Sequence, residues 1–204
     1  MAIKSIHFNT DGSVRAILDG RKTCTRRICK DANEYTVPDM EFYDADKRTY
    51  AVHNFADLEH TEKLSIGERT CPICPEDILY VRETFYEDED CILYKADNEK
   101  LTGYRNMRGE DIVVKWRPSI HMPKDAARIW LKVTDVRVER LQEITPENAV
   151  KEGTKEIFPP LAVDEFWDIW NATIKKSDLE RYGWNANPWV WVIEFERCEK
   201  PKVN

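Results

Sequence analysis

Between Gly20 and Arg27 the chain places four cations and two hydroxyls within eight residues, Gly20-Arg21-Lys22-Thr23-Cys24-Thr25-Arg26-Arg27. Such a set suits a phosphate or a polar base. A lysine whose pKa is lowered by burial or by neighbouring arginines can also act as base for an adjacent threonine hydroxyl. An exposed basic turn is the plainer alternative for the same residues. Glu152 is the second candidate. It falls in the last turn of a short helix, where the macrodipole disfavours negative charge, so a facing cation would account for it, and Lys22 is one that could face it; a solvated glutamate would also serve. A third stretch, Trp116-Arg117-Pro118-Ser119-Ile120-His121-Met122-Pro123, offers a ring for stacking, with Arg117, Ser119 and His121 as groups for phosphate or base edges and two prolines to stiffen the loop. Its alternative is a core aromatic beside a structural histidine.

Six cysteines occur, and Cys71-Pro72-Ile73-Cys74 has the two-residue gap of a zinc knuckle. Cys24 and Cys29 are the thiols that could complete a four-sulfur set with Cys71 and Cys74. Buried thiols with no metal are the alternative, since no histidine stands nearby at ligand spacing. No cofactor is otherwise required by the pattern.

The net charge of −7 argues against a nucleic-acid partner until its distribution is read. Residues 1–30 hold seven Lys or Arg against two Asp, and residues 115–140 hold seven against three acids, which leaves −16 for everything else. Two basic segments on an acidic body could form one cationic cleft. That distribution favours a local contact with a nucleotide or short single strand over extended duplex DNA. The densest apolar stretch, Trp189–Ile193, is far short of the roughly 20 residues a bilayer helix needs, and the N-terminus lacks an apolar leader, so a cytoplasmic protein with no membrane partner is expected.

The elements that must position these residues are read from periodicity and punctuation. Ile3–Phe8 predicts a strand, and Asp11-Gly12-Ser13 opens a short helix stopped at Gly20. Strands are expected over Thr23–Ile28, Ile78–Arg82, Cys91–Ala96, Ala127–Arg140 with a bulge near Thr134-Asp135, and Trp189–Phe195. Thr145, Pro146, Glu147 and Gly153 punctuate one short helix. Val163, Phe166, Trp167, Trp170 and Ile174 mark a second over about 161–175, as a core stripe. Tyr182-Gly183-Trp184-Asn185 reads as a cleft edge or as a turn before the last strand. Residues 30–70 and 97–114 are polar and weakly patterned, and read as insertions in a single domain spanning 1–204. The class is α+β, with a curved sheet or small barrel.

Gly20-x-Lys22-Thr23-x-Thr25-x-Arg27, or equally Gly20-x-Lys22 with Arg26, after the Ile17-Leu18 helix resembles the signature of the ASCH domain, a branch of the PUA-like superfamily. Pro75-Glu76-Asp77-Ile78-Leu79-Tyr80-Val81-Arg82-Glu83-Thr84 resembles the strand that family enters from a Gly-Asp turn, with Glu76 in the glycine's place. Trp116–Pro123 and the closing Trp184–Phe195 resemble the longer, phage- and prophage-associated members. The resemblance implies a PUA-like pseudo-barrel with flanking short helices and a cleft for RNA or a nucleoside. Arg21, Arg26, Arg27, Trp116, Arg117, Ser119 and His121 would be the contacts. One short branch is an amidohydrolase of acetylcytidine; by motif position its roles would pass to Thr25 as nucleophile, Lys22 as base and Glu152 as orienting group. The chain is about twice that branch's length, and its insertions could reshape the cleft. Two other readings stay open: an RNA-binding regulator without catalysis, and a phage structural or partner-binding factor with a cysteine zinc knuckle. A ribonuclease lacks a clear acid and base pair here.

Overall fold

The computed structural model describes residues 1–8, 11–30, 32–34, 38–42, 48–55, 63–156 and 158–201. In chain order these form β1 (Ile3–His7), α1 (Asp11–Leu18), β2 (Cys24–Ile28), β3 (Pro38–Phe42), β4 (Thr49–Phe55), β5 (Lys63–Thr70), β6 (Ile78–Arg82), β7 (Phe85–Glu87) and β8 (Ile92–Tyr94). Then follow β9 (Gly103–Arg105), β10 (Asp111–Val113), β11 (Trp130–Arg140), α2 (Pro146–Lys151), α3 (Pro159–Thr173), α4 (Leu179–Tyr182) and β12 (Trp189–Cys198). A mixed sheet with a few short helices makes the chain α+β. Among the described residues no helix is long and apolar enough to cross a membrane.

The central sheet runs β1-β6-β11-β12-β2. Only β1 and β6 are parallel, from Ile3 beside Ile78 to His7 beside Arg82. β11 and β12 pair along their whole length with a register slip between Val133 and Asp135, where the sequence broke its alternation. The expected pseudo-barrel is not closed. Edge strands β1 and β2 instead approach each other, and a side chain spans the gap: Arg27 Nη2 donates to the His7 carbonyl at 2.8 Å. Arginine can do this because its guanidinium carries donors in several directions at the end of a long stem.

Alternation along β12 assigns the two faces. Trp191, Ile193 and Phe195 join Ile6, Val14, Ile17, Leu79, Val133 and Val136 in one core, while Val190 and Val192 join Cys24, Leu141, Ala149, Phe166 and Trp170 in another. The first is covered by α1 and the second by α2 and α3. Trp167 does not belong to the predicted stripe: it is 42% exposed, one position off the face that Val163, Phe166 and Trp170 share. Burying Phe166 or Trp170 contributes about 1.5–3 kcal/mol each.

Both polar segments contain strands. Residues 30–70 include the antiparallel sheet β3-β4-β5, and 97–114 include the β9-β10 hairpin. Strands of three residues leave little hydrophobic period to read, which is why β7, β9 and β10 escaped the pattern, and β9 and β10 are also exposed at their first and last positions.

Candidate functional site

The loop after α1 is set by a Schellman turn. Gly20, at φ +75°, donates to the Ile17 carbonyl at 3.1 Å and Arg21 to that of Ala16 at 2.8 Å. Lys22 N also bonds Ala16 O at 2.9 Å, and Thr23 N bonds Lys151 O at 2.9 Å, so residues 20–23 are pinned between α1 and α2. On the other side, Thr145 Oγ1 accepts from Asn148 N at 3.3 Å and Pro146 takes the first helical position, as the punctuation predicted. Gly153 ends α2 at φ +89°, and a Cβ there would lie 2.7 Å from Ala16 Cβ and 2.8 Å from Lys22 Cβ. Only glycine lets α2 come this close to Lys22.

Lys22 and Glu152 meet. Lys22 Nζ donates to Glu152 Oε2 and to the Glu152 carbonyl, each at 2.7 Å, and the two backbones form an isolated antiparallel bridge. Arg26 Nη1 reaches Glu152 Oε1 at 3.1 Å, and its Nη2 reaches Glu139 Oε2 at 3.2 Å. The side chains of Lys22, Arg26 and Glu152 are 5%, 0% and 4% exposed. Cys24 Sγ, 4.0 Å from Glu152 Oε1, completes a row of alternate residues on one face. Burial, and then the Glu152 charge, push the Cys24 thiol up to about 12, so it stays protonated.

Thr25 lies on the opposite face. Its cross-strand partner is Ile193 of the other core, it is 2% exposed, and its side chain makes no hydrogen bond to Lys22 or Glu152. The structure therefore joins two of the three residues assigned by motif position and separates the third. The reason is strand parity: Lys22, Cys24 and Arg26 share one side and the residues between them take the other.

The remaining basic residues have different surroundings. Arg21 Nη1 holds the Gly153 and Thr154 carbonyls at 3.0 and 3.1 Å, fastening the end of α2. Arg27 bonds only backbone carbonyls, of His7 and Arg26, and lies 5.2 Å from the Phe8 ring; among the described residues no carboxylate pairs with it. Burial lowers its pKa, with the Glu152 charge opposing. Trp116 is half-buried, Arg117 and His121 are exposed, and Ser119 is buried. Arg117 pairs its backbone with Phe85 and contacts Glu87 at 3.6 Å. No hydrogen bond or ion pair joins Trp116, Arg117, Ser119 or His121 to residues 20–27 or Glu152. Their link to the site is indirect, through Arg82, whose Nη1 donates to the Ile120 carbonyl at 3.2 Å and which sits in register with His7. Trp184 packs edge-on against Phe166 at 6.2 Å between centroids, so the 182–185 stretch is a packed turn.

The gap between β1 and β2 holds a cavity of about 330 Å³ lined by His7, Phe8, Arg26, Arg27, Trp170 and Ile174, among others. Two of its lining residues carry unpartnered polar atoms: His7 Nδ1 and Arg26 Nε are buried with no hydrogen-bond partner. Arg82 Nε, on the strand beside His7, is a third such atom outside the lining. Burial, with Arg82 and Arg27 nearby, lowers the His7 pKa. His7, Phe8 and Arg82 were missed in the sequence. His7 and Arg82 end two strands that the sequence does mark, Ile3–Phe8 and Ile78–Arg82, but only the structure shows those strands to be parallel neighbours.

The cysteines divide by face. Cys24 lies in one core, while Cys29, Cys71 and Cys74 lie in the other. Cys71 Sγ donates to the Ile73 carbonyl at 2.7 Å, Cys74 Sγ to that of Cys71 at 3.4 Å, and burial together with Cys74 pushes the Cys71 thiol up to about 12. Asp77 organises this turn, accepting from Ala2 N at 2.8 Å, Cys74 N at 3.1 Å and Lys4 Nζ at 2.7 Å. Glu76 beside it takes φ +67°, the left-handed conformation a glycine would favour. Among the described residues no group of three or more His, Cys, Asp or Glu is gathered to hold a metal.

No family model matches the chain, and no curated protein does. Among solved structures, an ASCH domain from Lactobacillus crispatus JV V101 is similar at 11% identity with a TM-score of 0.42, over 96% of this chain and 79% of that one. A likeness of that size transfers neither ligand nor activity.

Proposed function

We propose that the chain is an ASCH-type, PUA-like domain that binds a nucleotide of single-stranded RNA in the gap between β1 and β2. The observation that carries this is Arg27: a cation without a carboxylate partner, bridging two sheet edges beside a cavity with unpartnered nitrogen atoms. A phosphate supplies the missing charge and accepts from the guanidinium, and Phe8 and Trp170 give the cavity aromatic walls for a base. Lys22, Arg26 and Glu152 form the rigid support behind it. Amide hydrolysis would need a hydroxyl within reach of Lys22, and Thr25 faces away, so binding is the reading the geometry favours.

Fluorescence anisotropy with short labelled RNA tests this. Arg27→Gln is expected to weaken binding about 10-fold and to make the slope of log K against log salt shallower by about one phosphate contact. Absence of RNA binding at low salt, or an unchanged affinity and slope in a folded Arg27→Gln protein, overturns it.

A further inference from the structure

A second cavity, of about 570 Å³, opens on the other side of the Arg27 bridge. Its floor is Ile6, Val136, Trp191 and Ile193, and Tyr50, Pro72 and Ile73 close it from the polar segment and the turn that follows. The Tyr50 and Trp191 rings meet edge to face with centroids 5.2 Å apart. The cavity is open to the surface on one side, so a ligand reaches it without opening the core. It also falls within the roughly 300–1,000 Å³ typical of small-ligand pockets. Its walls are mostly apolar, and its polar side chains are Ser5 and His7 of β1, Arg27 of β2 and Lys30 just beyond β2. His7, Arg27 and Ile28 line both cavities, so Arg27 stands at the boundary between them.

We infer that this inner cavity is a second base subsite, so that the ligand is two consecutive nucleotides whose linking phosphate lies on Arg27. The inference rests on the nucleotide-binding reading of the gap. An apolar chamber with an aromatic pair takes a flat heterocycle, and cations on the side shared with the first cavity meet the charge that such a heterocycle carries only when attached to a phosphate. Two cavities on either side of one uncompensated guanidinium fit a diester, which is charged in the middle and flat at both ends. A free nucleoside brings no charge to Arg27 and fills one cavity only. The turn supplying Pro72 and Ile73 is held by Asp77, so this wall is fixed before any ligand arrives.

The test is calorimetric titration with ApA, CpC, GpG and UpU against the matching mononucleotides, on wild type and on Ile73→Trp, which fills the inner cavity. At least one dinucleotide is expected to bind 10-fold or more tightly than its mononucleotide, and Ile73→Trp should erase that gain while leaving mononucleotide affinity within twofold. In methyl-labelled wild type, the Ile73 and Ile193 signals should shift with the dinucleotide and not with the mononucleotide, a readout that stands even if the variant misfolds. Equal affinity for both ligands, a gain that survives the filled cavity, or unmoved methyl signals overturns the second subsite alone. Failure of every mononucleotide to bind overturns the reading of the gap as well.

Discussion

Replacing Glu152 with glutamine tests whether the Lys22–Glu152–Arg26 cluster is a buried charge network that supports the site. Glu152 is 4% exposed at its side chain and receives Lys22 at 2.7 Å and Arg26 at 3.1 Å. Charge-assisted hydrogen bonds contribute about 1.5–3 kcal/mol each, and removing one member of a buried pair typically costs about 3–5 kcal/mol because the partner charge is stranded. Arg26 keeps Glu139, but Lys22 is left with neutral acceptors only, the residue 152 carbonyl and the glutamine amide oxygen, so a cost of about 3–5 kcal/mol is expected for Glu152→Gln. Lys22→Met leaves Glu152 paired with Arg26 and should cost less, about 1–3 kcal/mol. The double variant should then be more stable than the sum of the singles by about 1–3 kcal/mol. Urea unfolding at pH 7 measures all three; with an m-value near 2 kcal/mol/M, Glu152→Gln moves the midpoint by about 1.5–2.5 M. A Glu152→Gln protein within about 1 kcal/mol of wild type, or strictly additive singles, refutes the network.

Gly153→Ala forces a Cβ into 2.7 and 2.8 Å contacts at a φ of +89°, and a loss of about 2–4 kcal/mol in thermal or urea unfolding is expected. At Asp77, burial raises the carboxyl but the bonds from Lys4, Ala2 and Cys74 outweigh it, leaving its folded pKa below 3.8. Its contribution is therefore present above about pH 4 and lost as pH falls through the folded value, so stability should decline with acid in wild type and do so less steeply in Asp77→Asn. Thr25→Val should leave RNA affinity within twofold, and the wild-type protein should release no acetate from acetylcytidine; release that Thr25→Val abolishes would restore the hydrolytic reading. Because Cys71 and Cys74 spend their thiol protons on backbone carbonyls, protein purified under reducing conditions should contain well under one equivalent of zinc by elemental analysis, and stoichiometric zinc would contradict this.

Local rules are legible in the chain itself. Gly20, Thr145, Pro146 and Gly153 each mark a helix boundary because capping is decided within a few residues, and the bulge after Val133 shows as a break in alternation. The pairing of Lys22 with Glu152 was foreshadowed by a carboxylate placed at the unfavourable end of α2. Parity was legible in part: a strand over Thr23–Ile28 puts Cys24 and Arg26 on one face and Thr25 on the other, but that Lys22 joins the first face is shown only by its bridge to Glu152. Strand order was not legible. Tertiary structure alone decided that β1 and β2 become the two edges of one sheet curled toward itself, with Arg27 reaching His7 across the gap. The cavities beside that bridge arise from residues far apart in sequence, whose meeting depends on how the sheet twists and not on any short-range preference.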